Sequence, residues 1–267
     1  MRTSNLKRSK KLTAFNRLLT IMDQLRKSCP WDRKQTMESL RHLTIEETYE
    51  LSDAIIEGNL KEIEKELGDL MLHVTFYAKL GSEKHAFDME TVLNGLCDKL
   101  IRRHPHIYGN TKAEDEDTVK KNWEILKLKE VENTSVLGGV PRSLPAMIKA
   151  MRIQEKASGI GFDWEEESQI WAKIEEEIKE FKNELEVKKE NSIRKHEEFG
   201  DVLFSLINYA RYQGINPEEA LERTNKKFIK RFQYLEKKSK KDGKLLSKMT
   251  LSEMNIHWER AKKEIDN

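Results

Sequence analysis

The chain has 267 residues, and its 49 basic and 47 acidic side chains nearly cancel to a formal charge of +2. That balance supplies no global field of the kind that draws a protein to nucleic acid or to a membrane surface, so direct nucleic-acid binding is not expected. Charged residues make up 36% and hydrophobic residues 37%, with only 12 Gly and 5 Pro, which suits amphipathic helices rather than a disordered chain.

Helical periodicity runs nearly end to end, without a stretch of alternating strand pattern, and about ten helices are expected. The Lys7-Arg8-Ser9-Lys10-Lys11 cluster reads as the solvated start of the first. Cys29-Pro30-Trp31-Asp32 reads as a turn, with Asp32 capping the next helix and Gln35 completing a capping box. Cys97 is the only other cysteine, so no disulfide framework is expected and a reducing cytoplasm is the simplest compartment. The next helix carries Glu46, Glu47 and Glu50 and stops at Gly58. Its successor carries Glu66 and Asp69 around Gly68, continues through Leu70, Met71, Leu72, Val74 and Phe76, and stops at Gly81. His73, on that apolar stretch, reads as a core or edge histidine. Asp88 caps a helix over Met89 to Leu100, and Arg102-Arg103-His104-Pro105-His106 closes it with cations at the negative helix end. Asn133 to Pro145 holds Gly138-Gly139 and two prolines and reads as a linker between modules 1–132 and 146–267. Beyond it, Asn216-Pro217-Glu218-Glu219 opens a helix with a capping Asn, Pro at the first position and two acids, and Gly214 stops the helix before it. No apolar run is long enough to span a bilayer.

The second half repeats the first. Ile45 to Leu51 matches Glu175 to Phe181, and Glu66-Leu67-Gly68-Asp69-Leu70 matches Glu198-Phe199-Gly200-Asp201-Val202. Tyr77-Ala78-Lys79 pairs with Tyr209-Ala210-Arg211, Lys99 to Arg103 with Lys227 to Arg231, and Trp123-Glu124 with Trp258-Glu259. The offsets run only from 128 (Lys99 to Lys227) to 135 (Trp123 to Trp258), as insertions confined to loops would give. Five blocks in one order make the chain a tandem repeat of two helical modules.

Each module carries an acidic motif in two halves. Glu47 and Glu50, three apart, share a helix face; Glu66 and Asp69 do the same on the next helix. The second module repeats the set with Glu177, Glu180, Glu198 and Asp201, and with Glu176 at the edge position that Glu46 holds in the first. Four carboxylates on two packed helices suit a hard divalent cation, with magnesium or manganese favoured by oxygen-only donors. A solvated acidic face is the plainer reading of either half alone. Gly68 and Gly200 sit mid-helix at a cost of about 1 kcal/mol relative to Ala, which implies a close approach there by a facing helix or a ligand. Lys99 with Arg103, and Lys227 with Arg231, place an ammonium and a guanidinium one turn apart, a pair suited to polyphosphate. Trp123 and Trp258 either stack on a base or pack in a core. Two other classes compete: a non-catalytic helical scaffold, and a di-iron carboxylate bundle. The latter needs Glu-x-x-His on two helices, whereas Glu47 and Glu66 are followed by Glu50 and Asp69.

These motifs resemble the MazG family of nucleoside triphosphate pyrophosphohydrolases. Glu-Glu-x-x-Glu followed by Glu-x-x-Asp is that family's signature and occurs twice here. Cys29-Pro30-Trp31-Asp32, Arg102 to His106, Pro141-Arg142-Ser143-Leu144-Pro145 and Gly161-Phe162-Asp163-Trp164 add to the likeness, which covers about Leu18 to Trp258. The resemblance implies an all-α fold, a homodimer of tandem-repeat chains, and cleavage of a nucleoside triphosphate to a monophosphate and pyrophosphate. It implies Glu177, Glu180, Glu198 and Asp201 as magnesium ligands, and Lys173, Lys227 and Arg231 as contacts to the triphosphate. It also implies that Trp258 and Lys262 close the nucleotide site; Glu176, beside the expected metal ligands, is the candidate for positioning or deprotonating the attacking water. The first-module counterparts form a second set: Glu47, Glu50, Glu66 and Asp69, then Lys99, Arg103 and Trp123. In the best-known members the C-terminal module carries the activity.

Overall fold

The computed structural model describes residues 2–109, 118–119, 123, 126, 135–186 and 192–265. It is helical throughout, and no strand occurs among the described residues. The chain forms two compact units, Met1–Ala113 and Glu114–Asn267.

In the first unit, α1 (Arg2–Ser28) and α2 (Met37–Glu57) both pack on α3 (Leu60–Glu83), and α4 (Met89–Arg103) follows with the single turn α5 (Pro105–Tyr108). Leu72, Phe76 and Leu80 recur every four residues on α3, so they form one stripe. That stripe joins Met22 of α1 and Leu40 of α2 in the hydrophobic cluster of the unit. Two ion pairs clasp α1 to α3: Arg26 donates to Glu83 at 2.9 Å, and Lys79 approaches Asp23 at 2.6 Å. His73 is buried, as its apolar surroundings suggest, with Nδ1 2.7 Å from the Thr44 hydroxyl. Lys7 to Lys11 are exposed, in keeping with a solvated helix start.

The second unit comprises α6 (Ala146–Ser158), α7 (Glu167–Glu186), α8 (Ser192–Tyr212), α9 (Pro217–Lys241) and α10 (Leu251–Ile265). α7 and α6 pack on α8, and α10 packs on α9. Ile170, Ile174, Val202, Ile207 and Leu235 are buried there. Residues 132 to 134, including the expected module boundary and linker start, lie outside the described residues, as does Glu124. From Val136 to Gly139 the chain makes a 3-10 turn that packs on α6. No described helix is long and apolar enough to cross a membrane.

Most local signals act where the sequence places them. Asp88 caps α4 reciprocally with Thr91, and Asn216 accepts from the amides of Glu218 and Glu219. Gly58 ends α2 at φ +65, a conformation that costs glycine nothing. Two signals are corrected. Asp32 does not cap α2; it starts a 3-10 turn, and the cap is Thr36, whose hydroxyl accepts from Ser39 N–H while Ser39 Oγ accepts from Thr36 N–H. Gly81 does not stop α3, which continues to Glu83. Its small size matters for packing instead: a Cβ there would lie 2.5 Å from the Phe87 ring.

Candidate functional site

Helix pairing draws the acids together in both units. α2 and α3 bring one oxygen each of Glu47, Glu66 and Asp69 within 4.8 Å of one another, and α7 with α8 does the same for Glu177, Glu180 and Glu198. Each expected quartet therefore converges as a trio. Glu50 stands outside the first trio and Asp201 outside the second, although both act on their neighbours through charge. Burial, then the charges of Asp69, Glu50 and Glu66, pushes Glu47 above the usual carboxylate range. Glu198 is pushed up as well, by desolvation first and then by Glu180, Asp201 and Glu177, against the pull of Arg194. Glu46 and Glu176 are exposed.

The donor chemistry fits a divalent cation. Glu66 is 3% exposed; Lys65 meets Oε1 at 2.7 Å, while the buried Oε2 has no hydrogen-bond partner. Glu177 is 7% exposed and faces Lys173, whose ammonium lies 2.8 Å from it and 3.2 Å from Glu176. Those two carboxylates raise the Lys173 pKa and hold it charged. A Cβ at Gly68 or Gly200 meets nothing within 4 Å, so no facing helix makes the close approach expected at either glycine. The backbone beside both acidic motifs is open.

A cavity of about 760 Å³ opens in the second unit, and Lys173, Glu177 and Asp201 form part of its wall. The rest comes from α6, α7, α8 and the 136–137 and 160–164 segments. Gly161, at φ +89, turns the chain so that Asp163 meets Arg211 of α8, with Nη1 to Oδ2 at 2.9 Å. Arg211 also donates to Asn208 Oδ1 from Nε at 3.1 Å and from Nη2 at 3.0 Å. The Gly161 to Trp164 motif is thus an anchor for the cavity wall. Gln154 and Asn208, both lining it, escape a sequence reading because neutral amides carry neither charge nor periodicity. The one available signal is a polar residue on the inner face of each helix.

The remaining expected substrate contacts form a separate group. Arg231 of α9 lies over the Trp258 ring of α10 at 5.8 Å, and the Phe228 ring stands 5.0 Å from the same tryptophan. Lys227 is exposed, and Lys262 donates to Glu259 at 2.6 Å. In the first unit Lys99 and Arg103 are half-buried on α4, and Trp123 is half-buried.

The MazG nucleotide pyrophosphohydrolase domain matches this chain twice, over residues 35–108 and 165–235. A Thermotoga maritima protein named nucleoside triphosphate pyrophosphohydrolase/pyrophosphatase MazG is 42% identical over 252 residues, covering 93% of this chain and 95% of the relative. The nucleoside triphosphate pyrophosphohydrolase of Escherichia coli K12 is 37% identical over 262 residues, covering 96% of this chain and all of that protein. YabN of Bacillus subtilis is 43% identical over 253 residues, which are 93% of this chain and 51% of that protein.

Proposed function

We infer the activity from one premise: the chain belongs to the MazG nucleotide pyrophosphohydrolase family, whose domain it carries twice. It hydrolyses nucleoside triphosphates to a monophosphate and pyrophosphate, a reading supported by relatives named nucleoside triphosphate pyrophosphohydrolase. The observation that carries this reading is the union of a carboxylate trio and a cavity, with Glu177 belonging to both. Water adds to the α-phosphorus, the bond from that phosphorus to the α,β-bridging oxygen breaks, and pyrophosphate leaves with the bond's electron pair.

Glu177, Glu180, Glu198 and Asp201 hold the cation in this reading, and Glu47, Glu50, Glu66 and Asp69 form a second set. Like charges gathered within 4.8 Å and the orphan oxygen of Glu66 support a bound ion. A bound divalent cation supplies Lewis acidity at phosphate oxygens and makes water more acidic; all-oxygen donors favour magnesium, with manganese as a substitute. Lys173 keeps a positive charge beside Glu177 and offsets charge on the phosphates. Lys227 and Arg231, with Trp258 and Lys262, contribute further contacts; Lys99, Arg103 and Trp123 are their counterparts. Glu176, exposed and next to the trio, orients the water or takes its proton. A homodimer is the assembly we propose, supported by the exposed Phe199, Leu203 and Leu206 on α8.

Purified protein incubated with magnesium and each nucleoside triphosphate should release monophosphate and pyrophosphate in equal amounts. Glu176→Gln should lower turnover at saturating magnesium by about 10²-fold or more, the scale of general acid–base assistance. Release of inorganic phosphate and diphosphate nucleotide would refute attack at the α-phosphorus, and unchanged turnover would remove Glu176 from its role.

A further inference from the structure

The near balance of charge over the whole chain hides a local excess on α9. From Lys226 to Lys241 that helix carries eight basic residues and one acid, Glu236. At about 100° per residue, Lys230, Lys237, Lys240 and Lys241 fall within one arc of about 100° and extend over about 16 Å of the helix axis. All four are exposed, and among the described residues none of them has an ion pair. Neighbouring lysines on the side of α10 differ: Lys238 approaches Glu264 at 4.0 Å, and Lys244, just past the helix, meets Glu253 at 2.6 Å. A helix C-terminus favours positive side chains, but that field falls off within the last turn, and Lys230 and Lys237 precede it. Nor does the proposed hydrolysis use these four. Lys227 and Arg231, the expected triphosphate contacts, lie outside the arc, with Arg231 over the Trp258 ring. Their counterparts Lys99 and Arg103 close α4, which ends at Arg103, whereas α9 runs on from Arg231 to Lys241.

We propose that this face of α9 binds the phosphate backbone of a B-form DNA duplex without reading its sequence. A polyanion complements a row of unpaired ammonium groups, which act as point charges rather than as base readers. An α-helix about 10–12 Å across enters the major groove of B-DNA, about 12 Å wide, whereas that of duplex RNA is too deep and narrow for side chains to read. Between the lysines the arc holds Gln233 and no aromatic residue, while single strands are gripped by stacking. Tyr234, at its edge, is half-buried with the Lys238 ammonium 4.8 Å from its ring centre. An anionic membrane is matched less well, because an interfacial helix inserts its apolar side. On α9 that side holds the buried Leu235, and the Phe228 ring lies 5.0 Å from Trp258 of α10. The proposal is independent of the pyrophosphohydrolase reading.

The test titrates the full chain into a fluorescently labelled DNA duplex and follows anisotropy across a salt series. At physiological salt the dissociation constant should lie at about 10⁻⁴–10⁻⁶ M, the range of sequence-independent binding. The logarithm of affinity should fall against the logarithm of salt with a slope of about −3.6, or about −0.9 for each of four phosphates neutralised. Lys230→Gln, Lys237→Gln, Lys240→Gln and Lys241→Gln combined should weaken binding at least about tenfold and flatten the slope. Arginine at the same four positions keeps the charge and should keep both affinity and slope. Turnover of nucleoside triphosphates should stay within about twofold of the parent in both variants, since Lys227 and Arg231 are untouched. If the glutamine variant fails to fold, Lys237→Gln alone decides, with an expected loss of about 0.9 from the slope. Parent binding weaker than about 10⁻⁴ M at physiological salt overturns the proposal. So does a glutamine variant that binds duplex as the parent does. Tighter parent binding to single-stranded DNA, or to vesicles of phosphatidylserine and phosphatidylcholine, than to the duplex overturns it as well.

Discussion

Glu66 is the most deeply buried carboxylate of the first trio. It is 3% exposed, its Oε2 is unmet, and Glu47 and Asp69 oxygens stand within 4.8 Å. Two full charges at that separation repel by about 3 kcal/mol at an effective dielectric near 20. Exposed like-charged neighbours on one helix cost only about 0.2–0.5 kcal/mol, so the burden comes from helix pairing and burial. Burial and the neighbouring carboxylates hold Glu47 above the usual carboxylate range. Glu66→Gln removes one charge and keeps the shape. In chelator the variant should melt above the parent; with excess magnesium the order should reverse, because only the parent keeps the stabilisation from an ion at the first site. Thermal unfolding of the full chain under both conditions reads this. A parent midpoint indifferent to magnesium would show that the first trio holds no such ion.

At the level of helices, the two inner glycines of α3 do different work. Gly68 lies mid-helix, and a Cβ added there would meet nothing within 4 Å, whereas a Cβ at Gly81 would strike the Phe87 ring. Ala is favoured over Gly in a helix by about 1 kcal/mol, so Gly68→Ala should stabilise the unit by up to about that amount. Gly81→Ala gains the same propensity but must displace a ring whose burial is worth about 1.5–3 kcal/mol in full; with Phe87 at 39% exposure only part is lost, and the net should be destabilising by about 1 kcal/mol. Denaturant midpoints for both variants in chelator decide it, and a shift of the same sign in both would defeat the distinction. Sequence read a helix stop at Gly81 and a close approach at Gly68, and the structure reverses both, because only the spatial neighbour tells them apart. Caps were more readable where the signal was reciprocal, as at Asp88 and Thr91. Asp32 misled because its spacing to Gln35 imitates a capping box, while the chain inserts a 3-10 turn and caps at Thr36.

Over the whole chain, the duplication was legible because helical spacing fixes which acids share a face, and the family domain matches both halves. What each half surrounds its acids with was not legible, since it depends on side chains that meet across three helices. The two units differ at a matched position on their second acidic helix. Asn208 lines the cavity, whereas Phe76 belongs to a hydrophobic cluster. Both units gather a carboxylate trio, but in the second that trio shares Glu177 with the cavity wall. We propose that the first site holds its unit together rather than turning over nucleotide, because Phe76 joins the hydrophobic cluster where Asn208 lines the cavity of the second unit. Glu177→Ala should therefore abolish pyrophosphate release across a nucleotide panel, by about 10³-fold or more if the cation's Lewis acidity is lost. Glu47→Ala should leave turnover within a few-fold while lowering the magnesium-dependent gain in thermal stability. Pyrophosphate release and unfolding midpoints measured on the same two preparations separate the roles, and equal partial losses of activity would instead establish two working sites.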